Sequence, residues 1–275
     1  MHVESAAELE LHPAPAQILA IGSRLVYGSV GLNAVDRAPS SSQIQTAQLP
    51  TIILPVMPHY ASARALPVPA PWIADALNDL TAAHALDPHG LLAVGYLASV
   101  DQADVIARWQ SERGMPRFVL DPTLGDVELG FYTDPALADA IRRLLLPLAH
   151  GVTPNLFELA HLSGRAVDEL DSVAAIESAA RDIMGEKTEW VVVTGASAPA
   201  GIGNGNPRIG ELIVTRTGSS FHDHPYLPTP AKGLGDAFAA ALNIALLEGR
   251  DLDSAVDIAA HTVSDHILAR TSETA

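Results

Sequence analysis

The sequence predicts an α/β protein, a single-domain three-layer αβα sandwich built on a mostly parallel central sheet. Three observations carry that expectation. Short apolar runs alternate with longer amphipathic ones along most of the chain. The runs are apolar throughout rather than every second residue, as expected of strands covered on both faces. At 275 residues the chain is long enough to bury a sizeable core, and no internal repeat or convincing linker divides it.

The strands expected in order are 17–21, 50–54, 91–95, 117–120, 151–153 and 189–194. Between them, helices are expected at 71–85, 99–111, 135–145, 156–162 and 172–184. Ser99 with Gln102 has the spacing of a capping box, and Ser172 after Asp171 marks another helix start. After Thr194 the pattern changes. A glycine-rich loop over 201–207 leads into 209–215 and 220–224, which reads as an antiparallel hairpin at the sheet edge. Helices over 235–247 and 252–269 close the chain. The stretch 39–42 and the proline-dense 55–71 are expected to be loops over a site, and residues 1–16 an acidic tail ahead of one domain over 17–275.

Composition narrows the function. Sixteen basic residues against 32 acidic ones give a formal charge of −16, which argues against a nucleic-acid surface. Backbone N–H groups and a metal ion can still hold an anionic small molecule. With no cysteine, disulfides, thiolate metal sites and cysteine nucleophiles are excluded. The first 17 residues lack the basic and apolar regions of a signal peptide, and no apolar run reaches the roughly 18 residues of a membrane helix. A soluble cytoplasmic protein is expected.

Ligands of open parallel sheets bind beyond the carboxyl ends of the strands. Ser23, Asp121, Thr153, Asn155 and Thr194 all fall there. Each alone reads as a helix cap, whereas several on one edge make a pocket. Asp121 opens "DPTLGDVELGFY" (121–132), which ends in Tyr132. A buried carboxylate at a strand end needs a metal ion, a cation or donors, and oxygen ligands of this kind suit Mg²⁺. Glu158 either brings a second carboxylate to this edge or serves as a favourable charge at a helix start. Gly233-Leu-Gly235-Asp236 does not fit a dinucleotide fingerprint, because Phe238 fills the third glycine position, and no P-loop pattern is present. It is a glycine turn opening a helix, with Asp236 either capping that helix or acting as a base beside an anion hole. The His222 and His224 pair could bind zinc, but no third ligand is evident, and that role is disfavoured.

Together these residues resemble the ribokinase-like superfamily, in which Gly233-Leu-Gly235-Asp236 stands at the Gly-x-Gly-Asp motif. The resemblance narrows to the pyridoxal kinases and spans nearly the whole chain. "SRLVYGSVG" (23–31), "GYLAS" (95–99), "DPTLGDVELGFY", "LLPLAHGVTPNLFEL" (145–159), "LDSV" (170–173) and "WVVVTGAS" (190–197) follow in that family's order. It implies ATP-dependent phosphorylation of the 5′-hydroxymethyl group of pyridoxal, pyridoxine or pyridoxamine. Asp236 would be the general base, with the N–H groups of Gly233, Leu234 and Gly235 as the anion hole. Ser23 and His59 would contact the vitamer together with Asp236. Asp121, Thr153, Glu158, Thr194, Leu234 and the stretch His224, Pro225, Tyr226, Leu227 fall on the ATP side, and Tyr132 and Glu158 match positions associated with Mg²⁺. A monovalent cation and a homodimer are further implications. Three departures stand out: Leu234 where the family has threonine, Val30-Gly-Leu32-Asn33 for Val-Gly-Asn-Ser, and Pro55-Val56-Met57 before His59. A hydroxymethylpyrimidine kinase, or a catalytically weak B6-binding relative, are the alternatives.

Overall fold

A computed structural model describes residues 14–38, 44–58, 60, 64–197 and 208–273. Eleven strands are found among them: β1 (Ala16–Leu25), β2 (Thr46–Leu54), β3 (Leu66–Pro67), β4 (Leu86–Val94), β5 (Arg117–Leu120), β6 (Gly125–Asp126), β7 (Gly130–Phe131), β8 (Gly151–Val152), β9 (Trp190–Ser197), β10 (Arg208–Thr215) and β11 (Ser219–Pro225). Nine of them form one sheet in the order β11-β10-β9-β8-β5-β4-β1-β2-β3. The six central strands from β9 to β2 are parallel, and β10, β11 and β3 add antiparallel edges. The expected hairpin is therefore β10–β11. The two-residue edge strand β3 was not expected; it contains Pro67, and a proline is tolerated at an edge because its missing N–H removes no interior ladder bond.

The helices are α1 (Leu32–Val35), α2 (Ala70–Ala82), α3 (Val100–Arg113), α4 (Ala136–Ala140), α5 (Leu156–Ser163), α6 (Val173–Asp182), α7 (Leu234–Leu247) and α8 (Leu252–Glu273). Strand residues divide by parity between two helical layers. Leu19, Ile21, Leu92, Val94, Val191 and Val193 face α2 to α6, in a cluster with Ile73, Ile106 and Ile176. Ile18, Ala20, Leu91, Trp190 and Val192 face the other way, against Leu32 of α1, Phe238 and Leu242 of α7 and Val256 of α8. Burial on both faces is why the strands carry no polar alternation.

Local signals set the helix ends. The Ser99 and Ser172 side chains accept from the N–H groups of Gln102 and Ala175, as their spacing predicts. The helix expected over 135–145 is corrected. The chain is α-helical only to Ala140, then winds through a wider π turn (Ile141–Leu145) and a tight 3-10 turn (Leu146–Leu148). Pro147 explains the change, since it has no N–H for the preceding turn and its ring displaces the carbonyl four residues back.

β1 and β4 are adjacent, yet the connection from β1 runs away to β2 on its other side. Chain direction thus diverges between them, opening the crevice at which doubly wound sheets bind ligands. His59, residues 39–43, the loop 201–207 and most of the 1–16 tail lie outside the described residues.

Candidate active site

Helix α7 begins at the glycine turn. Gly233 is its N-cap in the left-handed region (φ 84°), and a Cβ there would sit 2.6 Å from Val30 Cγ1. The residue is glycine for both reasons. No side chain caps this helix, so its first N–H groups point outward without intrahelical partners. Gly235 is exposed, and a Cβ there would meet open space. That space is where the turn's N–H groups and the dipole of the 14-residue α7 would favour an anion.

Asp236, in the first turn of α7, shares a cavity of about 140 Å³ with Asp121, Thr153, Glu158, Thr194 and Tyr132. These side chains come from α7, the residues just past the ends of β5 and β8, α5, β9 and the loop after β7, so the sheet brings together residues up to 115 positions apart. Among the strand-edge residues, Thr153 Oγ1 donates to Asp121 Oδ1 at 3.3 Å, and Asn155 bridges to Thr194 as an extension of the parallel ladder. Asn155 and Glu158 form a capping box. The Glu158 N–H donates to Asn155 Oδ1 (3.0 Å), and Glu158 Oε2 accepts the Asn155 N–H (2.9 Å). Oε1 accepts the N–H of Leu124 (2.9 Å). Glu158 thus caps its helix and also presents a carboxylate to the cavity, so the two readings of this residue do not exclude each other.

Three carboxyls around one cavity disturb one another. Burial pushes Asp236 up from the usual carboxylate range, opposed by the backbone N–H of Gly31. Burial pushes Glu158 up to about 7; its backbone hydrogen bonds oppose this and the charge of Asp236 adds to it. Asp121 is raised well above the ordinary value by burial and by the charges of Glu158 and Asp236. Raised carboxyls grouped in a cleft mark a site that gains from a cation. Mg²⁺ fits this donor set. Among the described residues no three ligands converge tightly enough to hold an ion by themselves, and Mg²⁺ characteristically takes one or two carboxylates and completes its shell with waters and phosphate oxygens.

A second cavity, about 260 Å³, adjoins the first through Thr194, Gly235 and Phe238. Its walls include Leu234, His224, Pro225, Tyr226 and Leu227, all expected on the ATP side. Asp121 and Asp236 also line a narrow cleft of about 50 Å³ with Gly22, Gly31, Gly95 and Tyr96, at the ends of β1 and β4. Ser23 is 8% exposed, beside a register shift of β1, and is packed against Gly31. The Tyr132 hydroxyl donates to Asp126 rather than standing free.

Several residues have roles that the sequence did not assign to them. Gly31 (φ 60°) leaves no room for a Cβ, which would collide with Ser23 Oγ and the Ser23 carbonyl. Asn33, one of the departures, clamps the end of β1 by accepting the Leu25 N–H (3.0 Å) and donating to the Leu25 carbonyl (2.9 Å). Lys232 reaches Asp126 (3.4 Å) and Glu128 (3.6 Å), tying the glycine turn to the 121–132 loop. Thr123 holds φ at 34°, an unusual value for a β-branched residue and one that occurs beside Asp121. The signal for Thr123 was its place in the acidic loop; the Lys232–Asp126 pair spans 106 positions and has no local signature. The histidines took other partners: His222 lies between Asp253 and Asp257, and His224 beside Glu211.

Comparison with known proteins agrees with this geometry. Residues 54–274 match the family model described as phosphomethylpyrimidine kinase. The pyridoxine/pyridoxal/pyridoxamine kinase of Bordetella bronchiseptica is 36% identical over 267 residues, covering 96% of this chain and 92% of that protein. Among solved structures, the Lactobacillus plantarum pyridoxal kinase superposes with a TM-score of 0.82 at 21% identity, over 95% of this chain and 91% of that one. The Staphylococcus aureus pyridoxal kinase, solved with pyridoxal and with AMP-PCP, gives 0.74 at 22% identity, over 91% and 87% of the two chains. At those identities the structures speak for the fold, which is ribokinase-like; the family model covers most of the chain, and within it the 36% identical Bordetella relative decides the branch: the chain belongs to the pyridoxal kinase family.

Proposed function

We propose that the chain transfers the γ-phosphoryl group of ATP to the 5′-hydroxymethyl group of pyridoxal, pyridoxine or pyridoxamine. The observation that carries this reading is the position of Asp236, which lines both the β1–β4 cleft and the carboxylate cavity, one residue from Gly235, which lines the larger cavity as well. A vitamer seated over the mouth of the cleft, which at about 50 Å³ is too small to enclose it, would present its hydroxymethyl group to Asp236, which takes the proton as the oxygen attacks. A triphosphate entering from the larger cavity would lay its γ-phosphate over Gly233, Leu234 and Gly235. Their N–H groups hold the charge developing on the transferred group, and no covalent intermediate is needed.

Ser23 and His59 complete the vitamer side of the proposal. Asp121, Thr153, Thr194 and the 224–227 stretch complete the nucleotide side. Glu158, with Tyr132 beside it, would hold Mg²⁺, which when bound offsets the negative charge of the phosphates. A cytoplasmic homodimer completes the reading, and no helix among the described residues is long and apolar enough to cross a membrane.

The test is ADP release with Mg-ATP and each of two acceptors, pyridoxal and hydroxymethylpyrimidine. Turnover at least tenfold faster with pyridoxal supports the reading. Faster turnover of the pyrimidine would assign the chain to the activity named by the matched family model. Vitamer binding without turnover would identify a binding protein instead.

A further inference from the structure

Gln102 is the third residue of α3, where the capping-box pattern gives it a local task, turning its side chain back to the N–H of Ser99. It reaches further instead. Gln102 Oε1 accepts the N–H of Ala98 (2.7 Å), and Nε2 donates to the carbonyls of Thr51 (2.8 Å) and Val68 (2.7 Å). Gln102 is 1% exposed and Thr51 is fully buried. One amide thus ties together the loop after β4, the strand β2 and the residue between β3 and α2. A primary amide suits this place, because it offers an acceptor and two donors and brings no charge into the interior.

The tied segments surround the β1–β4 cleft. Thr51 is the position at which β2 gains a residue on β1, opposite the register shift beside Ser23. Irregular pairing of this kind re-aims side chains next to active sites. Thr51 Oγ1 donates to the carbonyl of Tyr96 (2.7 Å), and Tyr96 lines the cleft together with Asp121 and Asp236. Tyr96 and Ala98 also pack with Val30 and Met57 against a small apolar cluster of Leu25, Ile52 and Leu54. Removing the Gln102 amide would take the partner from the Ala98 N–H and leave the loop hydrogen-bonded to β2 through the Thr51 hydroxyl alone, among the described residues. The cavity of about 260 Å³ is lined by none of these residues.

We propose that Gln102 is a positioning residue for the vitamer, holding the Tyr96–Ala98 loop at the spacing from β1 and β2 that the substrate ring requires. It touches no substrate and acts through Tyr96. The proposal rests on the kinase reading above and adds to its vitamer side a residue on which the nucleotide side does not depend.

The experiment is steady-state kinetics with pyridoxal and ATP varied in turn, on wild type, Gln102→Met, Thr51→Val and Gln110→Met. Gln110 is a control on the same helix: it is also buried, and its amide bonds only the backbone of Met115, away from the cleft. A neutral hydrogen bond contributes roughly 2- to 10-fold to an equilibrium. Gln102→Met, which loses three, should raise the KM for pyridoxal about tenfold and leave the KM for ATP within twofold. Gln110→Met should lower Tm and leave both KM values within twofold. If Gln102→Met does not fold, Thr51→Val decides, since it keeps the shape and removes one bond; it should raise the KM for pyridoxal roughly 2- to 10-fold and spare that for ATP. A brace without a positioning role would leave both KM values unchanged, or move both by one factor, and either result overturns the proposal while an active wild type keeps the kinase reading. A wild type that does not phosphorylate pyridoxal overturns that reading and the proposal with it.

Discussion

Replacing Asp236 by asparagine should stop the reaction and stabilise the protein. The kinetic half follows from the loss of a positioned base, typically 10²- to 10⁴-fold in kcat, with the KM for ATP within about twofold of wild type. The thermodynamic half follows from the three carboxyls. Glu158 rises from 4.5 to about 7; at about 1.4 kcal/mol per pKa unit, this is roughly 3–4 kcal/mol of strain on its charged form. Burial is the main cause, and the Asp236 charge is a lesser one that also acts on Asp121. Removing that charge should return about 1 kcal/mol, or roughly 2–4 °C in Tm for a chain of this size. Asparagine can still accept the Gly31 N–H. The sign with pH follows from proton linkage. A carboxyl whose folded pKa is raised binds more protons in the native than in the unfolded state, so stability falls as pH climbs from about 4.5 through about 7. The gain of Asp236→Asn should accordingly be full at pH 8 and shrink toward pH 5. Differential scanning calorimetry without Mg²⁺ or nucleotide, paired with the ADP-release assay, reads both halves. A variant keeping more than a third of wild-type kcat would refute the base assignment, and an unchanged or lower Tm at pH 8 would refute the coupling of the carboxyls.

Leu234→Thr should lower the KM for ATP about tenfold, through a hydroxyl able to bond the nucleotide, and leave the KM for pyridoxal unchanged. Steady-state kinetics decide it, and an unchanged KM for ATP would mean that leucine's place in the apolar wall compensates. Gly31→Ala forces a Cβ into the left-handed region and against Ser23; a loss of about 2 kcal/mol should lower Tm by roughly 4–8 °C, whereas a drop under one degree would show that the turn relaxes freely. Burial alone would lower the His222 pKa, but its hydrogen bonds to Asp257 and Asp253 outweigh this and raise it. The contribution of that pair is thus complete below about 6.5 and lost as pH rises through the raised value. The Tm gap between wild type and His222→Gln should be widest in mild acid and close on the alkaline side, and a gap independent of pH would argue against ionic clamping of β11 to α8.

Much of this protein is determined by signals that act within a few residues. Apolar runs become central parallel strands because burial on both faces leaves polar side chains no place. Ser99 and Ser172 start helices because a hydroxyl reaches an N–H three positions on. Gly233 opens α7 because the left-handed turn it adopts favours a residue without a Cβ. The position of Pro147 likewise signals a break in the regular helix, although the expected helix ran on to 145, past the end of α4 at Ala140.

Tertiary structure decided what those elements do together. Asp121 and Glu158 could each be solvated, capping or catalytic until the order β9-β8-β5-β4-β1-β2 set their strand ends beside the start of α7. Their raised pKa values come from distance and burial, which no spacing along the chain encodes. Glu211 sits in an ordinary strand sequence, and its pairing with His224 beside the larger cavity is visible only once β10, β11, α7 and α8 are assembled. The reason is one of range: helix caps, turns and strand alternation act between neighbours in the chain, whereas charge coupling, cavity walls and unsatisfied buried atoms arise between groups that only the folded sheet brings together.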